Sequence, residues 1–185
     1  MKKIISVLFA LCLCMVASAQ QHLKFMGIPL DGTVDNFALK LKAKGVTYDA
    51  AKSKTAGPGN RVFNGTFVGE DAEIVVFYNN KSKIVYGAAV ELQYSTVETA
   101  HTPFVNLTEQ LQQKYPNAKY RANRDSDGDA NGVAFDIPDK TGTKRIGVIL
   151  QILNVSDSGY GCSIWLMYTD IDNFQKNDTI NNEDL

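Results

Sequence analysis

A period of two constrains this chain more than any other feature. Apolar and polar residues alternate along 61–68, 73–78, 83–94, 119–124, 132–137, 144–154 and 160–169, and short runs rich in Gly, Asn, Asp and Ser separate these stretches. Side chains on a strand point alternately to opposite faces, so the stretches read as strands, and the short breaks make them antiparallel neighbours. Only two long stretches carry apolar residues at helical spacing instead. In the first, Thr33 is placed to cap, Val34, Phe37, Ala38 and Leu41 form one stripe, and Gly45 stops the helix. The second covers 96–115, with Val97, Ala100, Phe104, Leu107, Leu111 and Tyr115 three and four residues apart and Pro116 ending it. Pro103 suits a first helical turn better than an interior, so this helix is expected to start after Thr102 or to kink. Residues 51–60, with Gly57-Pro58-Gly59, read as a loop, and the polar tail over 170–185 as a short fraying helix at most.

This order predicts an α+β domain over 20–169, an antiparallel meander with a helix packed on one face. One helix followed by about four strands occurs over 33–94 and again over 96–169; two tandem units produce that order, and so does the ordinary alternation of α+β domains. In the strand over 83–94, Ile84, Tyr86, Ala88, Val90, Leu92 and Tyr94 are expected on one face and Val85, Gly87, Ala89, Glu91 and Gln93 on the other.

The N-terminal segment addresses location. Lys2 and Lys3 precede an apolar run from Ile4 to Val16, and Ala17-Ser18-Ala19 follows, which is the pattern of a signal peptide. The run falls short of the roughly 20 residues that a spanning helix needs, and no comparable run follows it. A periplasmic or extracellular protein without a membrane span is therefore expected, cleaved near Ala19. Leu11 and Leu13 stand before Cys12 and Cys14 where a lipid-anchor signal needs a small residue. Cleavage leaves Cys162 alone, so no internal disulfide forms. Its apolar surroundings, from Gly161 to Tyr168, suit a small buried side chain better than a reactive thiol.

Charge and composition exclude several classes. With 44% hydrophobic and 21% charged residues the chain is not a disordered polymer. With 19 basic against 20 acidic side chains it has no cationic field for nucleic acid. No H-E-x-x-H, C-x-x-C, G-x-S-x-G, P-loop or G-x-G-x-x-G occurs, so the common hydrolase, redox and nucleotide-binding readings lack a warrant. Glu73 and Glu91 are the carboxylates a glycosidase reading would use, but a strand glutamate is ordinarily part of a wet face. The expectation is a protein that is not an enzyme.

Two constellations remain. Asp125, Asp127, Asp129 and Asn131 concentrate oxygen ligands, and Asp127-x-Asp129-x-Asn131-Gly132 matches the opening of a calcium loop. In that register the closing position is Pro138, and starting at Asp125 puts Ala130 where glycine belongs, so a solvated acidic turn competes with a calcium site. The second constellation is apolar. Ile146, Val148, Leu150 and Ile152 alternate with Gly147, Ile149, Gln151 and Leu153, and Ile164, Leu166 and Tyr168 alternate with Ser163, Trp165 and Met167, so both faces of these strands are greasy. One helix layer covers one face; the other meets a second layer, a second copy or a partner. Ile149, Gln151, Trp165 and Met167 are the candidate binding surface, with Trp165 as anchor. Asp178-Thr179-Ile180 has the form of a short O-glycosylation signal in the tail.

The Gly27-Ile28-Pro29-Leu30-Asp31-Gly32-Thr33 entry to a helix ending at Gly45, the hairpin meander, the helix ending Leu111-Gln112-Gln113-Lys114-Tyr115-Pro116 and the closing Tyr168-Thr169-Asp170-Ile171-Asp172-Asn173 resemble a family of secreted Bacteroidetes proteins of uncharacterised function. The helix-then-strands order, twice over, is also similar to the β-lactamase-inhibitor-protein-like (BLIP-like) architecture, in which two small units present a joined concave sheet to a protein. That resemblance implies a protein-binding sheet without implying a shared target, since the inhibitor's disulfides have no counterpart here. The sequence thus leads to a secreted binding protein whose sheet receives a protein or small ligand, with no cofactor. A calcium-responsive or glycan-directed module using loop 125–131 is the alternative.

Overall fold

The computed structural model describes residues 22–124, 128, 130–138, 145–154 and 161–182. The expected leader over 1–19 lies outside them. The described chain opens with a hairpin, β1 (Lys24–Phe25) and β2 (Ile28–Pro29), turned at Met26 and Gly27 with φ of 49° and 77°. Leu23, Phe25, Ile28 and Leu30 are all buried, so this small hairpin plugs into the core.

Helix α1 (Val34–Lys42) follows, capped by Thr33, whose side chain accepts from the Asn36 N–H. Its stripe Val34, Phe37 and Leu41 is buried. After β3 (Thr47–Asp49) the expected loop is in fact a helix, α2 (Ala50–Ala56). The sequence signal was weak because α2 buries only Ser53 and has no apolar stripe. Asp49 caps it through the Lys52 N–H at 2.9 Å. Beyond the end of β3, α2 takes over the flank of the next strand. There the Ser53 hydroxyl accepts from the Val62 N–H at 2.8 Å and donates to the Asp49 carbonyl at 2.6 Å.

The strands β4 (Asn60–Phe67), β5 (Glu70–Tyr78) and β6 (Val85–Tyr94) form the expected meander. Helix α3 (Val97–Lys114) leads to β7 (Lys119–Arg124), β8 (Ala130–Pro138), β9 (Arg145–Asn154) and β10 (Cys162–Thr169), and α4 (Ile171–Asn182) closes the described chain. Helix α3 does not wait for Pro103. Thr96 and Thr99 cap it reciprocally, with Thr99 N–H to Thr96 Oγ1 at 3.3 Å and Thr96 N–H to Thr99 Oγ1 at 3.1 Å. This capping box starts the helix at Val97 and leaves Pro103 in its interior.

The fold is α+β, with one eight-stranded antiparallel sheet in the order β3-β4-β5-β6-β10-β9-β8-β7. The first strands run from one rim to the middle. The chain then restarts at the opposite rim and returns to the middle, where β10 pairs with β6 from Cys162↔Tyr94 to Thr169↔Gly87. Between them α3 must carry the chain from β6 to β7, four places along the sheet. At the usual strand spacing that is ~19 Å, and an 18-residue helix spans ~27 Å. The crossover is long enough to lie across β6, β10 and β9, which it contacts.

Both α1 and α3 pack on the same face. Phe37 and Leu41 of α1, with Phe104, Leu107 and Leu111 of α3, join a core with Ile74, Val76, Ala88, Val90, Leu92, Phe135, Val148, Leu150, Ile164 and Leu166. Each large side chain so buried contributes ~1.5–3 kcal/mol. One expected facing is overturned. Phe77 stands opposite Gly87 but Tyr78 opposite Val85, so Tyr86 is the extra residue of a bulge. Val85 therefore enters the core, and Tyr86 stacks instead on Phe77 and meets Phe174 of α4 edge-on.

Gly161, just before β10, packs closely against the first half. A Cβ built there would stand 1.6 Å from the Ser95 carbonyl oxygen, in the turn between β6 and α3. Gly161→Ala is expected to lower stability by about 3 kcal/mol in urea melts. Gly147→Ala, whose Cβ would meet nothing within 4 Å, is expected to stay within about 0.5 kcal/mol of wild type.

Candidate functional site on the face without α1 and α3

Strand register fixes what the second face of the sheet displays. Ala88, Val90 and Leu92 of β6, Ile164 and Leu166 of β10 and Val148 and Leu150 of β9 face the helices. Their sequence neighbours must face away. Cross-strand pairing then aligns these outward residues in rows. One row runs Thr47, Asn64, Glu73, Glu91, Trp165, Gln151, Gly132 and Asn123 across the whole sheet. The next runs Asp49, Val62, Val75, Ala89, Met167, Ile149, Ala134 and Arg121.

The structure brings the four expected surface residues together. Trp165 pairs with Gln151 and Met167 with Ile149, on adjacent strands and the same face. Ile149 is 41% exposed, Gln151 is exposed, and Trp165 and Met167 are half-buried. Around them the relief is low, because Gly87, Ala89, Gly132, Ala134 and Gly147 offer little side chain. Helix α4 reaches this face at one end, where Phe174 covers Tyr86.

Charge flanks the patch on both sides, and on the β6 side it begins directly beside Trp165. On the β5 side, Glu73 and Glu91 stand directly opposite each other, an unfavourable like-charge pair. Lys52 of α2 relieves it with an ion pair to Glu73 at 2.5 Å, and that bond holds the Lys52 ammonium above its usual pKa. Beside it the Asp49 carboxylate accepts from the Lys52 N–H and, at 3.0 Å, from Asn64 Nδ2, which keeps its pKa below the ordinary range. On the far rim Arg121 pairs with Asp136 at 3.0 Å. A partly apolar patch bordered by charged groups is the anatomy of a binding face. Sequence reading placed Glu73 and Glu91 on strands but missed that they adjoin each other and Trp165. Pairing register carries that information, and a single strand's alternation does not.

The other expected residues are less informative. Asp125, Asp127 and Asp129 lie outside the described residues. Asn131 is half-buried on β8, the extra residue of an irregularity between the Gly132 and Ala130 pairings. Among the described residues no three His, Cys, Asp or Glu side chains converge as metal ligands would. Cys162 is buried, donates its thiol to the Thr96 carbonyl at 3.0 Å, and has its pKa pushed up by that burial and by Glu98. His22 bonds Asp170 at 2.7 Å, joining the start of the described chain to the cap of α4. No described helix is long and apolar enough to cross a membrane.

Compared with known proteins, the chain matches no family model, no curated protein and no solved structure.

The opposed glutamates give a measurable consequence. Lys52→Ala is expected to lower stability by about 0.5–1 kcal/mol at low ionic strength. Added salt should shrink that loss, and Glu91→Gln in the same chain should remove most of it. Urea melts of the single and double variants check both expectations.

Proposed function

We propose that this chain is an exported, non-enzymatic binding protein whose sheet, on the face turned away from α1 and α3, receives a protein or small ligand. One observation carries the reading: Trp165, Gln151, Met167 and Ile149 form a contiguous patch on that face, bordered by Glu91 on β6 and by the Arg121–Asp136 pair toward the far rim. A half-buried tryptophan beside a methionine is the kind of anchor on which interface energy concentrates. The eight-stranded width favours a protein over a small molecule, because it offers a broad, shallow surface in place of a deep pocket. Export rests on Lys2, Lys3, the apolar run and Ala17-Ser18-Ala19.

Site-specific photocrosslinking in cells that make the protein tests this. A benzophenone side chain replacing Ile149 is expected to give a discrete adduct that Trp165→Ala abolishes. The same probe at Val105, exposed on α3 behind the sheet, should give none. An adduct of twice the chain mass identifies a second copy as the partner. Equal adducts from both positions, or none from Ile149, overturn the proposal.

A further inference from the structure

A groove lies on the opposite side of the sheet, at the β3 rim. Helix α1 is amphipathic through Val34, Phe37 and Leu41, and its core contacts need no other large residue. Yet it carries Leu39, at 65% exposed the most exposed large hydrophobic among the described residues. Leu39 shares a flank with Asp35, Ala38 and Lys42, at spacings that put all four on one side of the helix. Opposite that flank stand Val46 and Tyr48 of the β3 segment and Arg61 and Phe63 of β4, and between the two sides lies a groove of about 530 Å³. That volume falls in the range that holds small organic ligands.

The lining states the chemistry. Ala38, Leu39, Val46, Tyr48 and Phe63 make the walls apolar. Tyr48 meets Phe63 edge-on at 5.5 Å, yet remains 52% exposed. An unfilled apolar wall of this kind is ordinarily covered by something. The polar groups are unequal. Arg61 is engaged, with Nη1 on Asp35 at 2.6 Å and its guanidinium over the Tyr78 ring at 5.8 Å. Lys42, at the other end of the flank, has no ion-pair partner among the described residues. Asp35 and Lys42 are seven residues apart, ~10 Å along the helix. The groove is therefore a greasy slot with its single acid neutralised at one end and a spare ammonium at the other.

We infer that this groove binds an apolar anion, a carboxylate carried on an aliphatic or aromatic body. The body lies along Leu39, Tyr48 and Phe63, and the carboxylate rests on Lys42 Nζ. The site is separate from the face bearing Trp165, since Tyr48 and Phe63 pair on the helix-bearing side. It stands or falls independently of the protein-docking proposal.

The test uses decanoate, decanol and decyltrimethylammonium, each kept below micelle-forming concentration, with backbone amide chemical shifts as the readout. Decanoate is expected to shift residues of α1, β3 and β4 and to leave those of β9 and β10 unmoved. Lys42→Glu should weaken decanoate by about fivefold or more while leaving decanol unchanged. Leu39→Asp should weaken both. Both positions are exposed, so these variants keep the fold, and thermal melts verify it. Three results overturn the inference: decyltrimethylammonium binding as tightly as decanoate, shifts centred on β9 and β10, or ligand-free dimerisation that Leu39→Asp abolishes. The last would assign the groove to a second copy of this chain.

Discussion

The pairing of β6 with β10 is the interaction on which the molecule depends. Every other strand pair in the eight-stranded sheet joins neighbours in sequence; this one joins the last strand of the first meander to the last strand of the second. Without it the chain would be two four-stranded sheets, each with an apolar edge strand exposed. The contact is reinforced where Gly161 lets the chain entering β10 pass against the Ser95 carbonyl, and where the buried Cys162 thiol bonds the Thr96 carbonyl. The helix-bearing core spans the join without a break, since Val90 and Leu92 of β6 lie beside Leu166 and Ile164 of β10.

That join also places the surface. Trp165 and Met167 lie on β10, and their neighbours Glu91 and Ala89 come from β6, so the central patch exists only when the halves combine. Helices cover one side because α1 and the long α3 both return across it, and no third crossover is needed to complete the strand order. The face left free of α1 and α3 is thus a product of connectivity. Trp165, Met167 and Ile149, with the charged groups on either side of them, are what sequence adds to that connectivity.

Alternation made most of this legible from the amino acids. Val148, Leu150, Ile164 and Leu166 went to one face and Ile149, Gln151, Trp165 and Met167 to the other, as period-two reading requires. Three features escaped it for definite reasons. Helix α2 has no apolar stripe and is held by the Asp49 cap and by Ser53 against β4, which are tertiary facts. The bulge at Tyr86 reverses the facing of Val85, and no residue in the stretch announces an inserted position. The start of α3 is set by Thr96 and Thr99, whose mutual bonding outweighs the warning from Pro103. Leu39 lies off the stripe that helical spacing picks out, and its partner wall, Tyr48 and Phe63, comes from strands whose position relative to α1 no local pattern specifies.

The strand order also sets a schedule for folding. The residues that pair at the centre are far apart along the chain, Gly87 with Thr169 and Leu92 with Ile164, so the middle of the sheet closes only after the final strand is available. Until then β6 is an unprotected edge, and contacts of such long sequence separation form slowly. A polypeptide built this way leaves its central pairing unmade until the ribosome has delivered β10.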